Sequence, residues 1–145
     1  MKLMKTLLSV LAIASVVFLS SCGDDDPKPK TKTELLTGHA WKLVKLKVDG
    51  TEGEPVDCDK DDVITFEADF DYKLEENTKC EVDDPATQTG DWAFKDNETK
   101  IRISFDLGGG TSFSIDNEIV ELTETTLKLK YTVLGSSVEE TYGVK

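Results

Sequence analysis

Histidine occurs once in this 145-residue chain, at His39, so a multi-histidine metal site is excluded and a histidine-dependent triad has no choice of member. Basic residues are scarce as well, 17 against 29 acids, for a formal net charge of −12. A chain of that sign repels phosphate backbones and anionic headgroups, which argues against nucleic acid as a partner and against a basic membrane-binding face. The one glycine run, Gly108-Gly109-Gly110, lacks the Lys-Ser/Thr pair and following helix of a phosphate cradle, so it reads as a hairpin loop. No nucleophile, base and oxyanion donor converge in any motif. The expectation is a non-enzymatic protein without a cofactor.

What is present begins at the N-terminus. Lys2 and Lys5 precede an apolar core from Leu7 to Leu19, which ends in Leu19-Ser20-Ser21-Cys22. The run is short of the roughly 20 residues needed to cross a bilayer, and it has the layout of a secretory signal. Leu19-Ser20-Ser21-Cys22 resembles a bacterial lipobox. The resemblance implies removal of residues 1–21 and acylation of Cys22, through which the mature protein would meet the lipid bilayer; the alternative is an ordinary secreted protein. Removing residues 1–21 takes two lysines and no acid.

Residues 22–31 follow as a tether. Asp24, Asp25 and Asp26 stand beside Pro27 and Pro29 with no larger apolar side chain, so nothing repays the entropy of ordering. The acidic run also resembles the export signals of surface lipoproteins, which implies an outer-membrane, cell-surface location; a plain soluble spacer is the competing reading. Residues 32–145 are one domain's worth of chain, expected to act as a monomer.

Thr33 to Gly38 reads as a short helix, with Thr33 as cap and Gly38 as stop. From Trp41 onward, alternation of period two dominates. Eight strands are expected, at Ala40 to Val48, Asp62 to Glu67, Asp71 to Glu76, Gly90 to Lys95, Lys100 to Leu107, Thr111 to Leu122, Thr126 to Leu134 and Ser137 to Val144. Short turns join most neighbours, so an antiparallel meander is favoured.

Register must keep apolar side chains on one face. That condition sets Phe66 opposite Tyr72, Trp92 opposite Ile103, Phe105 opposite Phe113, Val133 opposite Val138 and Leu129 opposite Tyr142. The inward set is then Trp41, Phe66, Tyr72, Trp92, Phe94, Phe105, Phe113, Tyr131 and Tyr142. Apolar parity switches between Leu43 and Val44 and between Ile115 and Val120, as bulges produce when a sheet closes. An eight-stranded closed barrel removes exposed edges, with a two-sheet sandwich as the alternative.

With Cys22 assigned to lipid, Cys58 and Cys80 remain as a pair in an oxidising compartment. Extending the Phe66–Tyr72 register sets them opposite one another, which predicts a disulfide; a reactive or metal-binding thiol pair has no nearby histidine to support it. Asp57, Asp59 and Asp61 alternate like a calcium loop, and Glu81, Asp83 or Asp84 could join them. However, Asp62 and Ala68 stand where an EF-hand needs Gly and Glu, and a solvated acidic rim is the simpler reading. Glu140 is the unexpected residue on the apolar face, set by the same register opposite Tyr131. A carboxylate there needs a partner or a ligand.

The body resembles the lipocalin-like lipoproteins. The residues that carry this are the short helix leading into Gly38-His39-Ala40-Trp41-Lys42-Leu43, then Asp61-Asp62-Val63-Ile64-Thr65-Phe66, and Gly90-Asp91-Trp92. Lipocalins typically show Gly-x-Trp at the first strand, and here one extra residue separates Gly38 from Trp41. The resemblance implies an eight-stranded up-and-down barrel whose mouth takes a small apolar ligand, with Tyr72, Trp92, Phe105, Tyr131 and Glu140 as candidate contacts. A barrel of this size can instead be filled by side chains, in which case loops or the acidic hairpin would bind a partner.

Overall fold

The computed structural model describes residues 28–81, 85–106 and 111–145. The leader, Cys22, most of the tether, Asp83, Asp84 and the triple glycine lie outside the described residues.

A capping box opens α1 (Lys32–Thr37): the Glu34 backbone N–H donates to Thr31 Oγ1 at 3.2 Å and the Thr31 N–H donates to Glu34 Oε2 at 2.7 Å. The cap is therefore Thr31 and not Thr33, because Thr31-Lys32-Thr33-Glu34 gives both orphan donors a partner.

Nine strands follow: β1 (Ala40–Val48), β2 (Thr51–Gly53), β3 (Val63–Phe66), β4 (Asp71–Glu75), β5 (Thr87–Lys95), β6 (Lys100–Asp106), β7 (Ser112–Leu122), β8 (Thr126–Val133) and β9 (Ser136–Val144). β1 and β3 to β9 form an antiparallel meander, and the pairing of β9 back onto β1 closes eight strands into a barrel. The sandwich alternative is excluded. β2 is an addition the sequence reading lacked, a three-residue ribbon folded back on β1 through the Asp49-Gly50 turn. β5 also starts earlier than expected, at Thr87, where it pairs with Glu75.

Hairpin registers follow the apolar pattern at β3–β4, β5–β6 and β6–β7, with Phe66 opposite Tyr72, Trp92 opposite Ile103 and Phe105 opposite Phe113. The β8–β9 hairpin differs by two residues: Tyr131 faces Val138, Leu129 faces Glu140 and Leu127 faces Tyr142. The cause is a tight Leu134-Gly135 turn with positive φ at both residues, which places Val133 directly against Ser136. A slip of two preserves the face, so Glu140 and Tyr142 keep their inward parity. Register shifts fall between Leu43 and Lys45 and between Ile119 and Glu121, at the two places where apolar parity switches.

The end of the barrel nearest α1 is packed solid. Leu36, Trp41, Phe66, Ile101 and Leu127 are fully buried there, and the Trp41 indole N–H donates to the Leu36 carbonyl at 2.9 Å. Trp41 thus plugs this end despite the extra residue after Gly38. Asn117 is the one buried polar residue among those described, its amide reaching the Ile101 and Ile115 carbonyls at 3.3 and 3.4 Å. Phe113, expected inside, is half exposed. Its strand explains this, because β7 pairs with β8 only from Glu118 onward. Above that point the two strands part.

Candidate functional site at the barrel mouth

The far end of the barrel is not filled. Even-numbered residues of β3, β4 and β9 bring Ile64, Tyr72, Leu74, Glu140 and Tyr142 to the interior, and Leu43 of β1 joins them before its bulge. With Asp59 and Asp62 from the loop preceding β3, they line a cavity of about 260 Å³. That is just below the volumes usual for ligand pockets, which begin at about 300 Å³.

Gly90 shapes the wall below it. The register sets Gly90 between Tyr72 on β4 and Phe105 on β6, and the two rings meet across it edge to face at 5.4 Å. A Cβ on Gly90 would lie 2.1 Å from the Ser104 carbonyl oxygen, so only glycine permits this approach of β5 to β6. Phe66 and Trp92 continue the aromatic stack toward the plug at 5.8 Å.

Glu140 is the polar centre of the site. Tyr142 donates to its Oε2 at 2.6 Å and Tyr131 to its Oε1 at 2.9 Å. Each carboxylate oxygen has two acceptor positions, so two phenols leave it able to accept more. Burial, and then the Glu140 charge, push the phenolic pKa of Tyr142 and of Tyr131 well above the ordinary value, so both stay donors. Tyr72 is raised for the same two reasons. The residue is only 6% exposed, and its hydroxyl, open to the cavity, has no hydrogen-bond partner among the described residues.

Asp62 adds a buried, unsatisfied acceptor. Its Oδ1 is buried without a hydrogen-bond partner. Burial, then Glu76, Asp59 and Asp61, raise its pKa to about 6, with partial compensation from the Asn77 backbone N–H. No Lys, Arg or His lines the cavity.

Cys58 and Cys80 are joined in a disulfide with a Cα–Cα distance of 5.2 Å, which clamps the loop bearing Asp59 and Asp62 to the start of the next crossover. Asp59 Oδ1 lies 3.0 Å from Cys80 Sγ. Cys58, Asp59 and Cys80 are the described residues that come together at metal-ligand spacing, and the bridge consumes both thiols. The alternating acids do not converge: Asp57 pairs with Lys60 at 3.2 Å, while Asp61 accepts from Thr78 Oγ1 at 2.7 Å.

Of the five candidate ligand contacts, Tyr72 and Glu140 line the cavity, and Tyr131 reaches it through Glu140. Phe105 supports the Tyr72 ring. Trp92 is buried in the packed half, where its indole N–H donates to the Glu67 carbonyl at 2.9 Å. Sequence reasoning missed Asp62 as an interior group, although its parity with Ile64 and Phe66 was available.

Strand order and closure define an eight-stranded antiparallel barrel preceded by a short helix. The lipocalin-like domain family matches residues 36–129, and the chain belongs to that family. It is a family of transport and binding proteins, and this member is accordingly non-enzymatic. Among solved structures, the chain is similar to a lipocalin-like protein from Bacteroides uniformis ATCC 8492, with a TM-score of 0.55 at 14% identity over 77% of this chain and 99% of that one. That likeness concerns the fold. No curated protein matches. Among the described residues, no helix is long and apolar enough to cross a membrane.

Proposed function

We propose that the protein is a lipid-anchored, extracytoplasmic lipocalin-like binder that captures a small molecule with an apolar body in the barrel mouth. Residues 1–21 act as the lipoprotein signal, acylated Cys22 holds the bilayer, residues 22–31 space the barrel from it, and the acids after Cys22 route the protein to the outer-membrane surface. The observation that carries the binding role is the half-filled barrel: one end is plugged by Trp41, while the other keeps a cavity walled by Leu43, Ile64 and Leu74 with polar groups converging on it. Packed interiors have few voids larger than a water, so a retained cavity of this kind fits a ligand site better than a structural defect.

Two measurements test the two halves of this reading. Cells fed labelled palmitate should label the wild-type protein and not Cys22→Ser; equal labelling would remove the anchor. Native mass spectrometry of the full-length protein, released gently from neutral detergent, should show a non-covalent small-molecule adduct. A protein that emerges bare and takes up nothing from a lipid and metabolite extract would remove the binding role.

A further inference from the structure

The cavity has an electrostatic character that its apolar walls do not explain. Glu140, Asp62 and Asp59 all line it, none of the three is in an ion pair among the described residues, and no basic side chain reaches the lining. On the neighbouring strands, Lys47 pairs with Glu139 at 3.2 Å and Lys73 with Glu75 at 2.8 Å.

Glu140, Asp62 and Asp59 are each partly buried, and carboxylates gathered in a cleft without a counter-charge are disfavoured, so proteins normally pair or neutralise them. Here the hydrogen bonds from Tyr131 and Tyr142 hold Glu140 as an acceptor, while Asp62 Oδ1 has no donor at all. The Tyr72 hydroxyl is a separate observation. It belongs to a residue 94% removed from solvent, it has no protein partner, and it lies in the field of both Glu140 and Asp62. Carboxylate oxygens are therefore in surplus around one small volume, and no cationic side chain lines it to balance them.

We infer that the ligand is an organic cation: an ammonium-bearing molecule whose charged head sits among Glu140, Asp62 and the Tyr72 hydroxyl, and whose short apolar body packs on Leu43, Ile64 and Leu74. This rests on the small-molecule reading above and narrows it. An ammonium supplies up to three donors to the unpaired acceptors and the missing counter-charge at once. A bare calcium ion fits less well, since it seeks six to eight oxygens whereas three aliphatic side chains form much of this wall.

The test uses isosteric probes that differ only in head group. Full-length ¹⁵N-labelled protein in neutral detergent is titrated at pH 7.5 with n-butylamine, butan-1-ol and butyrate, and amide shifts are followed at Ile64, Tyr72, Leu74 and Glu140. Butylammonium should bind at least tenfold more tightly than butanol, and butyrate should leave these amides unmoved. Glu140→Gln should weaken butylammonium at least tenfold with butanol unchanged, whereas Glu139→Gln, on the outer face, should change neither. Should Glu140→Gln fail to fold, Asp62→Asn makes the same test. Butanol or butyrate binding as tightly as the amine overturns the cation assignment and leaves the barrel a small-molecule binder. No shift with any probe overturns both. Calcium chloride displacing butylammonium and saturating the same amides overturns the organic ligand in favour of a metal ion.

Discussion

The Tyr142 hydroxyl donates to Glu140 Oε2 at 2.6 Å, two residues away on the same strand face. Strand geometry makes this pair adjacent, and Tyr131 completes it from the neighbouring strand at 2.9 Å. Losing Tyr142 leaves a partly buried carboxylate short of a donor, and hydrogen bonds to charged groups contribute about 1.5–3 kcal/mol. Tyr142→Phe should therefore lower the urea midpoint by an amount equivalent to about 2 kcal/mol at unchanged m-value. Tyr131→Phe, which removes the longer of the two bonds, should lower it less. A Tyr142→Phe midpoint equal to the wild type's would show that Glu140 does not depend on Tyr142.

Asp62 sets a pH dependence whose sign follows from its raised pKa. The unfolded carboxyl titrates near 3.9 and the folded one at about 6, so between those values the folded state holds more protons. By linkage, this group's contribution to stability is fully present below about pH 4 and declines until about pH 6. Asp62→Asn removes that decline. The stability difference between variant and wild type should thus grow in the variant's favour from pH 4 to pH 6 and then level. The rim is partly wet, so the discounted size is about 1 kcal/mol. Urea midpoints for both proteins at pH 4, 5, 6 and 7 check it, and a difference that shrinks with rising pH contradicts it.

Cys58 and Cys80 clamp the loop that carries two of the cavity's carboxylates. In the loop-entropy relation, a closed loop of this length stabilises by about 3 kcal/mol. The double variant Cys58→Ala/Cys80→Ala should melt at lower temperature and become indifferent to dithiothreitol, which should destabilise the wild type. A wild type unaffected by reductant would mean that the bridge does not hold the loop.

Gly90 provides a backbone test of the cavity wall. Its absent Cβ would lie 2.1 Å from Ser104 O, whereas at Gly143 the nearest atom is Val44 Cγ1 at 3.5 Å, an ordinary contact. Gly90→Ala should destabilise by about 2–4 kcal/mol, the range of strained or overpacked sites, and Gly143→Ala by much less. Thermal melts of both variants make the comparison. Similar melting temperatures would show that β5 and β6 can separate at Gly90 without penalty.

These relationships were unequally legible in the sequence. Aromatic and aliphatic residues on one parity gave three hairpin registers and both bulges, because a slip of one would turn every large side chain to solvent. The β8–β9 register was misread by two, which parity cannot detect. The deciding turn residue, Leu134, is fully exposed with φ of 50°, a conformation that leucine does not advertise. β2, Thr-Glu-Gly, is too short and polar to show a pattern. Glu140 stands out as an acid on an apolar face, whereas Asn117 has no sequence signal and is marked only by its bonds to the Ile101 and Ile115 carbonyls. Asp62 gains its significance only from closure of the barrel, which sets it beside the same cavity as a residue 78 positions later.

The central claim is that the mouth cavity is the binding site. Leu74→Trp introduces a large ring into that cavity while leaving the Trp41 plug untouched. Native mass spectrometry of the full-length wild type and of folded Leu74→Trp, purified side by side, tests this most directly. The small-molecule adduct should be present on the wild type and absent from the variant. An adduct retained at equal occupancy on both would contradict the account.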